Sequence, residues 1–210
     1  CGAELIVTDK KSEAELADSL AVLRGFPNIS YTLGEHRLED FQNRDFILKA
    51  AGVPLDSPYI AEAKKNDIPV RMSADLFAEY AGVPIVGITG TRGKSTVTHM
   101  IFDILNKNHE LGLSRGAAGR TGKPVLGGNV RGVSTLALLK EVPTLNAPQS
   151  GTSGEHPAGQ DVLAVLELDS WQLQGFGEAH LSPSLAVFTT FYSDHLNYYK
   201  ADLAAYLTDK

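Results

Sequence analysis

A single cysteine, Cys1, stands in 210 residues. One thiol closes no internal disulfide and builds no multi-cysteine metal site, and a reducing, cytoplasmic setting is the simplest reading. Long apolar runs are missing too. No stretch approaches the ~20 residues that a membrane-spanning helix needs, and no signal peptide is visible. Positive charge is in deficit: 19 Lys and Arg face 25 Asp and Glu, for a formal net charge of -6. Nucleic acid as the main partner calls for a basic footprint, so the acidic balance argues against that class. A small anionic ligand is not, because a few lysines and backbone amides suffice for one. No internal repeat is present. With 43% hydrophobic and 21% charged residues, the chain has the composition of a globular protein with room for one good core or two smaller domains.

What is there alternates between strand and helix. Leu5 to Thr8 is a short apolar run of the kind a buried parallel strand shows. Ser12 and Glu15 make a capping-box pair, and a helical pattern follows to Leu23. Ile29 to Leu33 and Phe46 to Leu48 read as strands, and Ser57-Pro58 opens a helix to about Lys65. Pro69 to Arg71 is a brief strand, and Ser73 caps a helix that ends near Gly82. Gly82-Val83-Pro84 marks a junction, which divides the chain into residues 1–82 and 83–210. Beyond it come a strand at Ile85 to Thr89, a helix from Lys94 to about Asn106, and a polar glycine-rich stretch over 109–124. Gly127-Gly128-Asn129 reads as a tight loop and Ser134 to Lys140 as helical. Pro143 to Gln160 reads as a flexible insertion. Val162 to Leu168 and Leu185 to Thr190 are strands, and Asp202 begins a helix that runs to Lys210. Repeated strand–helix units imply an α/β fold with mostly parallel sheets. Both ends fall inside or beside regular elements, so a longer parent protein is expected.

The sharpest chemical signal is Gly90-Thr91-Arg92-Gly93-Lys94-Ser95-Thr96, between a strand and a helix. Polyphosphate is dense negative charge. Glycines let backbone N–H groups turn toward it, and a helix N-terminus adds a positive partial charge. A lysine at the helix start reaches terminal phosphates, and the next hydroxyl can ligate magnesium. The strict pattern wants glycine where Ile88 stands, so the loop is a shortened variant. Glu167 ends an apolar strand, where ligands collect in parallel sheets. A carboxylate there can bind magnesium or simply face solvent. Asp194-His195 follows another strand and reads either as a site pair or as a turn. Asp9, with Lys10 and Lys11 behind it, is an end-of-strand acid near a nucleotide or a plain turn residue. Trp171 and Tyr198-Tyr199 read as packing residues.

Taken in order along nearly the whole chain, these pieces resemble the Mur ligase family. Gly87 through Thr98 is similar to the family's ATP loop, and Gly127-Gly128-Asn129-Val130 resembles its substrate loop. Leu166-Glu167-Leu168-Asp169-Ser170-Trp171-Gln172-Leu173 resembles the motif of the branch that adds D-glutamate, and Asp194-His195-Leu196-Asn197 resembles the family's Asp-His segment. The family carries a lysine, usually carbamylated, fifteen residues after that histidine, and the count from His195 lands on Lys210.

The resemblance implies a truncated Rossmann-like domain followed by a P-loop-type ATP-binding domain. It implies ATP, two Mg2+ ions, and a carbamylated Lys210. The implied reaction joins D-glutamate to UDP-N-acetylmuramoyl-L-alanine through an acyl phosphate, in peptidoglycan precursor synthesis, by a monomer. Lys94, His195 and Lys210 would be catalytic. Ser95, Glu167, His195 and Lys210 would hold metal. Asp9, Lys10, Lys11, Gly128, Asn129, Gln172 and His195 would meet the substrate. The family's first glycine-rich strand-turn and its amino-acid-binding domain have no counterpart in these residues, so residues 1–210 alone are expected not to complete the reaction. Five positions depart from the pattern. Arg92 and Thr190 stand where asparagine is usual, Asp169 stands for serine, and Ala50-Ala51 for serine or asparagine and then proline. A sister ligase with another amino acid, a P-loop kinase or nucleotide switch, and a UDP-sugar-binding module without catalysis stay open as alternatives.

Overall fold

A computed structural model of the chain describes residues 2–50, 52–54, 56–111, 122–143 and 162–210. The expected insertion after Pro143, most of the glycine-rich stretch before 122, Cys1 and Ala51 lie outside them. The chain forms two compact units. The first is Cys1–Ile47 with Val53–Val70, and the second is Leu48–Gly52 with Arg71–Lys210.

In the first unit, strand β1 (Leu5–Asp9) pairs in parallel with β2 (Ile29–Leu33), and α1 (Ala17–Leu23) connects them. The Ser12–Glu15 pair closes a turn ahead of α1 rather than capping it. The Ser12 hydroxyl donates to Glu15 Oε2 at 2.7 Å, and the Ser12 N–H donates to the same oxygen at 2.8 Å. That spends the hydroxyl on the carboxylate, so the regular helix starts only at Ala17. Helix α2 (Pro58–Lys65) begins on a proline already fixed near helical φ and ends on Lys64 and Lys65, which suit the negative end of its dipole. Its Ile60 and Ala63 pack with Ile68, Val70, Ile47 and Val53 in a small core. Two-residue strands β3 (Ile47–Leu48) and β4 (Val70–Arg71) pair with each other.

The second unit is built on a four-stranded parallel sheet. Its strands are β5 (Ile85–Thr89), β6 (Lys123–Gly128), β7 (Val162–Glu167) and β8 (Leu185–Phe188), in the order β6-β7-β5-β8. Alternate residues of β5 feed two cores. Ile85 joins Val125, Ala164 and Leu166 on one face, while Val86 and Ile88 join Val165 on the other. The first face is covered by α3 (Ser73–Tyr80), α5 (Ser170–Glu178) and a 3-10 turn, Thr135–Lys140. The second is covered by α4 (Lys94–Glu110) through Val97, Ile101, Phe102 and Leu105. Helix α6 (Leu203–Thr208) ends the chain, with Asp202 Oδ1 accepting from the Ala204 and Ala205 amides.

Several sequence expectations shift. Helix α3 packs within the second unit, so the compact units divide near residue 70, ahead of the Gly82 junction. Its cap is Asp75, whose Oδ1 accepts the Met72 N–H at 2.6 Å, and Ser73 is already the first helical residue. Strand β6 runs through Pro124 and both glycines of the expected loop, because Val125 and Leu126 pair with β7 and Val125 is buried there. The segment expected as a helix from Ser134 closes as a 3-10 turn over Thr135–Lys140, and α4 continues four residues past Asn106.

Candidate nucleotide site

The glycine loop joins β5 to α4, and two of its glycines adopt left-handed backbone, Gly90 at φ 131° and Gly93 at φ 82°. A Cβ at Gly90 would overlap the Thr189 hydroxyl and crowd the Thr190 backbone, so only glycine fits. That closeness has a purpose. The end of β8 clamps the loop from the side. The Thr189 hydroxyl donates to the Arg92 carbonyl at 2.6 Å, and the Thr91 N–H donates to the Thr190 carbonyl at 2.7 Å. The Arg92 N–H donates to Thr190 Oγ1 at 2.9 Å.

Two cations meet in this loop. Lys94 Nζ donates to the carbonyls of Gly90 at 3.0 Å and Thr91 at 3.2 Å. Lys210 Nζ donates to the same Gly90 carbonyl at 3.0 Å and reaches Thr89 Oγ1 at 3.5 Å. Burial and the neighbouring charge of Lys94 pull the Lys210 amine down to about 8, against the pull of Asp169 and Asp194. Two like charges on one carbonyl repel each other, and an anion between them would relieve that.

Tyr206 of α6 holds this corner together, and the sequence reading missed it. Its hydroxyl is 3.2 Å from Thr91 Oγ1, and the Lys210 ammonium lies over its ring, 5.1 Å from the centroid. The ring also stacks on Phe191 and meets His195 edge-on at 6.0 Å. His195 holds a left-handed backbone at φ 52°, uncommon for a residue with a side chain. Its ring lies 4.7 Å from that of Trp171 on α5, so Trp171 is the packing residue that was expected. The signal for Tyr206 was an aromatic four residues before Lys210, one turn apart in a helix expected to run to Lys210, although α6 itself stops at Thr208.

Glu167 ends β7 beside the strand that feeds the loop. It pairs with Ile88 on one side and Gly128 on the other, and it is 4% exposed. Gly128, at φ 83°, approaches so closely that a Cβ would overlap the Glu167 carbonyl oxygen. The Asn129 N–H donates to that oxygen at 2.7 Å, which fixes the start of the expected substrate loop. Asp169 and Gln172 form a reciprocal capping box at the start of α5: the Gln172 N–H donates to Asp169 Oδ1 at 2.8 Å, and the Asp169 N–H to Gln172 Oε1 at 3.1 Å. The serine-to-aspartate departure is therefore a good cap. It commits the Gln172 oxygen to the helix.

Ser95 is exposed on the first turn of α4. Among the described residues, no three His, Cys, Asp or Glu side chains gather to hold a metal. Magnesium does not need such a cage, since it keeps several waters and takes one or two carboxylates plus phosphate oxygens. The Glu167 carboxylate and the Ser95 hydroxyl are oxygen donors of that kind. Asp9, Lys10 and Lys11 belong to the first unit. Asp9 Oδ1 accepts the Lys11 N–H at 2.8 Å, which is a turn-forming contact. Among the described residues, no helix is long and apolar enough to cross a membrane.

The family description "Mur ligase middle domain" matches residues 88–210. A UDP-N-acetylmuramoylalanine--D-glutamate ligase of Borreliella burgdorferi (strain ZS7) is 35% identical over 210 residues, which is 100% of this chain and 39% of the relative. The ligase of the same name from Roseiflexus sp. (strain RS-1) is 33% identical over 196 residues, 93% of this chain and 36% of the relative. The chain thus spans well under half the length of these relatives. A pseudomurein peptide ligase type C from Methanothermus fervidus aligns with 97% of this chain and 36% of its own, at 18% identity and a TM-score of 0.35.

Proposed function

Because the chain belongs to the Mur ligase family, we propose that it is the nucleotide-binding part of an ATP-dependent ligase acting in peptidoglycan precursor synthesis. The finer reading is addition of D-glutamate to UDP-N-acetylmuramoyl-L-alanine, as the names of the relatives suggest. One observation carries the proposal. Lys94 and Lys210, far apart in sequence, both donate to the Gly90 carbonyl at 3.0 Å. That contact brings a lysine from the far end of the sequence to the loop where the nucleotide's phosphates and their metal would sit.

The chemistry follows from what a carboxylate lacks. It is a poor electrophile, and its oxygen must first become part of a leaving group. The substrate's alanyl carboxylate attacks the terminal phosphorus of ATP, and ADP departs. The amine of D-glutamate attacks the acyl carbon, phosphate leaves, and the nitrogen gives up its proton. Lys94 and the loop amides stabilise charge on the transferring phosphoryl group. Magnesium, when bound, would neutralise phosphate charge, with Ser95, Glu167, His195 and a carbamylated Lys210 as its protein ligands. Carbamate formation needs a neutral amine, and an amine near 8 supplies one far more often than an ordinary lysine. Asn129, Gln172 and His195 would orient the substrate. Asp9, Lys10 and Lys11 would lie toward its uridine end, within a substrate-binding region that precedes the ATP-binding region.

The test uses the full-length protein that carries this chain, with ATP, magnesium and UDP-N-acetylmuramoyl-L-alanine. Amino acids are offered one at a time while phosphate release is followed. D-glutamate alone should drive release, and Lys94→Ala should slow it by about two to three orders of magnitude. Release driven by another amino acid reassigns the chain to a sister ligase. Release without the UDP-sugar overturns the ligase reading in favour of a phosphotransferase or hydrolase. UDP-sugar binding without ATP binding leaves only a binding module.

A further inference from the structure

The two positions at which the loop and its flank depart from the family pattern touch each other. Thr190 Oγ1 accepts the Arg92 N–H at 2.9 Å and donates back to the Arg92 carbonyl at 3.1 Å. Thr189 adds a second hydroxyl on that carbonyl. The backbone of Arg92 is therefore spent on both its polar groups. In a phosphate loop the amides are the usual anion donors, and this amide is turned to a threonine instead. What Arg92 has left to offer is its side chain. That side chain is exposed, and among the described residues its guanidinium has neither an ion pair nor a hydrogen-bond partner. The neighbouring cations differ, since Lys94 and Lys210 are both turned inward onto Gly90.

We propose that Arg92 is a phosphate-binding residue of this loop. Its guanidinium closes on the terminal phosphates of the nucleotide, while Thr189 and Thr190 hold its backbone so that the side chain starts from a fixed point. The proposal rests on the reading of the loop as a nucleotide site and adds a residue to it. A guanidinium matches two phosphate oxygens at once and keeps its charge at any relevant pH. The pair Arg92–Thr190 then exchanges one amide–phosphate contact for a charged, two-pronged one.

Calorimetric titration of the chain with MgATP, MgADP and AMP tests this, with Arg92→Asn and Arg92→Lys as variants. Arg92→Asn should weaken ATP by about tenfold or more, weaken ADP less, and leave AMP unchanged. Arg92→Lys should recover part of the loss. The salt dependence of ATP binding should fall in Arg92→Asn, because one ionic contact is gone. Equal ATP affinity in wild type and Arg92→Asn, with both folded by circular dichroism, overturns the proposal and leaves the nucleotide site standing. An equal loss for AMP and ATP overturns it too, since the contact would then lie away from the terminal phosphates. A wild-type chain that binds no ATP overturns both this proposal and the nucleotide site.

Discussion

Strands β7 and β8 flank β5 on opposite sides, and both lead into candidate site residues at the same carboxyl edge, yet they are held in different ways. Strand β7 is a central strand, with five of its six residues buried. It has β6 and β5 as partners. Strand β8 is an edge strand with three of four residues exposed, Leu185 and Phe188 among them. Glu167, Asp169 and Gln172 on the β7 side are placed by packing and by a helix cap. The β8 side delivers Thr190, His195 and Lys210 through threonine hydroxyls and an aromatic cluster centred on Tyr206. One half of the site is a consequence of the core, and the other is latched onto it. Damage to the first half should therefore appear as lost stability, and damage to the second as lost site geometry in a folded chain.

The largest effect is expected on the β7 side. Leu166 is fully buried between β5 and β6, and Leu166→Ala should cost about 2–5 kcal/mol in urea unfolding. Gly128→Ala should cost roughly 2–3 kcal/mol, because the residue is left-handed and its Cβ would overlap the Glu167 carbonyl. If Gly128→Ala unfolds like wild type, the close β6–β7 contact is not as described. On the other side, Tyr206→Phe keeps the ring and loses only the contact with Thr91. It should cost about 1 kcal/mol while leaving the fold intact, and its effect should concentrate in nucleotide affinity. A loss of several kcal/mol there would erase the contrast between the two strands.

The same contrast governs what could be read from the sequence. Strands β5 and β7 were legible as apolar runs, since a strand buried on both faces needs no alternation. The glycine loop was legible because its chemistry fixes its spacing. Lys210 was legible only through the fifteen-residue count from His195, and no local pattern marks it. Helix α5 was passed over although Asp169-x-x-Gln172 is a capping signature, because Gly175 and Gly177 dilute its helical pattern. Gly175 is there for packing: a Cβ would come within 3.0 Å of the buried Asp75 carboxylate on α3. The Thr189–Thr190 clamp was invisible, because a hydroxyl that donates to a loop nearly a hundred residues away leaves no periodic trace. Thr190 looked like a defect in a motif. In the fold it is the partner of Arg92.

Lys210 sharpens the comparison through pH. Its amine is pulled down to about 8, from 10.5, first by burial and then by Lys94. A lowered lysine is a charged group that folding disfavours, so between these two values the unfolded chain holds more protons. Stability should therefore rise as the pH climbs from about 8 toward 10.5, with the full cost of the buried ammonium present below 8. At pH 7 about a tenth of an amine with that midpoint is neutral. Competitive acetylation read by mass spectrometry should show Lys210 reacting with a midpoint near 8, well before the exposed lysines. Lys94→Met removes the like charge, so the Lys210 midpoint should move up and its labelling at pH 7 should drop. A Lys210 profile that overlays those of Lys10 and Lys11 would mean that the latch is open in solution.

The smallest effect tests the latch itself. Thr190→Val keeps the shape of the side chain and removes the hydroxyl that serves the Arg92 N–H and carbonyl. The carbonyl keeps Thr189 as a donor, and the freed N–H faces an exposed loop where water can take it. The stability cost should therefore be about 1 kcal/mol or less. The loop, however, loses the contact that fixes where the Arg92 side chain begins. If Arg92 reads phosphate, Thr190→Val should weaken ATP several-fold in the wild-type background and far less once Arg92→Asn has already removed the guanidinium, since residues that share a partner do not add. Equal losses in both backgrounds would make Thr190 an independent support of the loop and would uncouple the two departures.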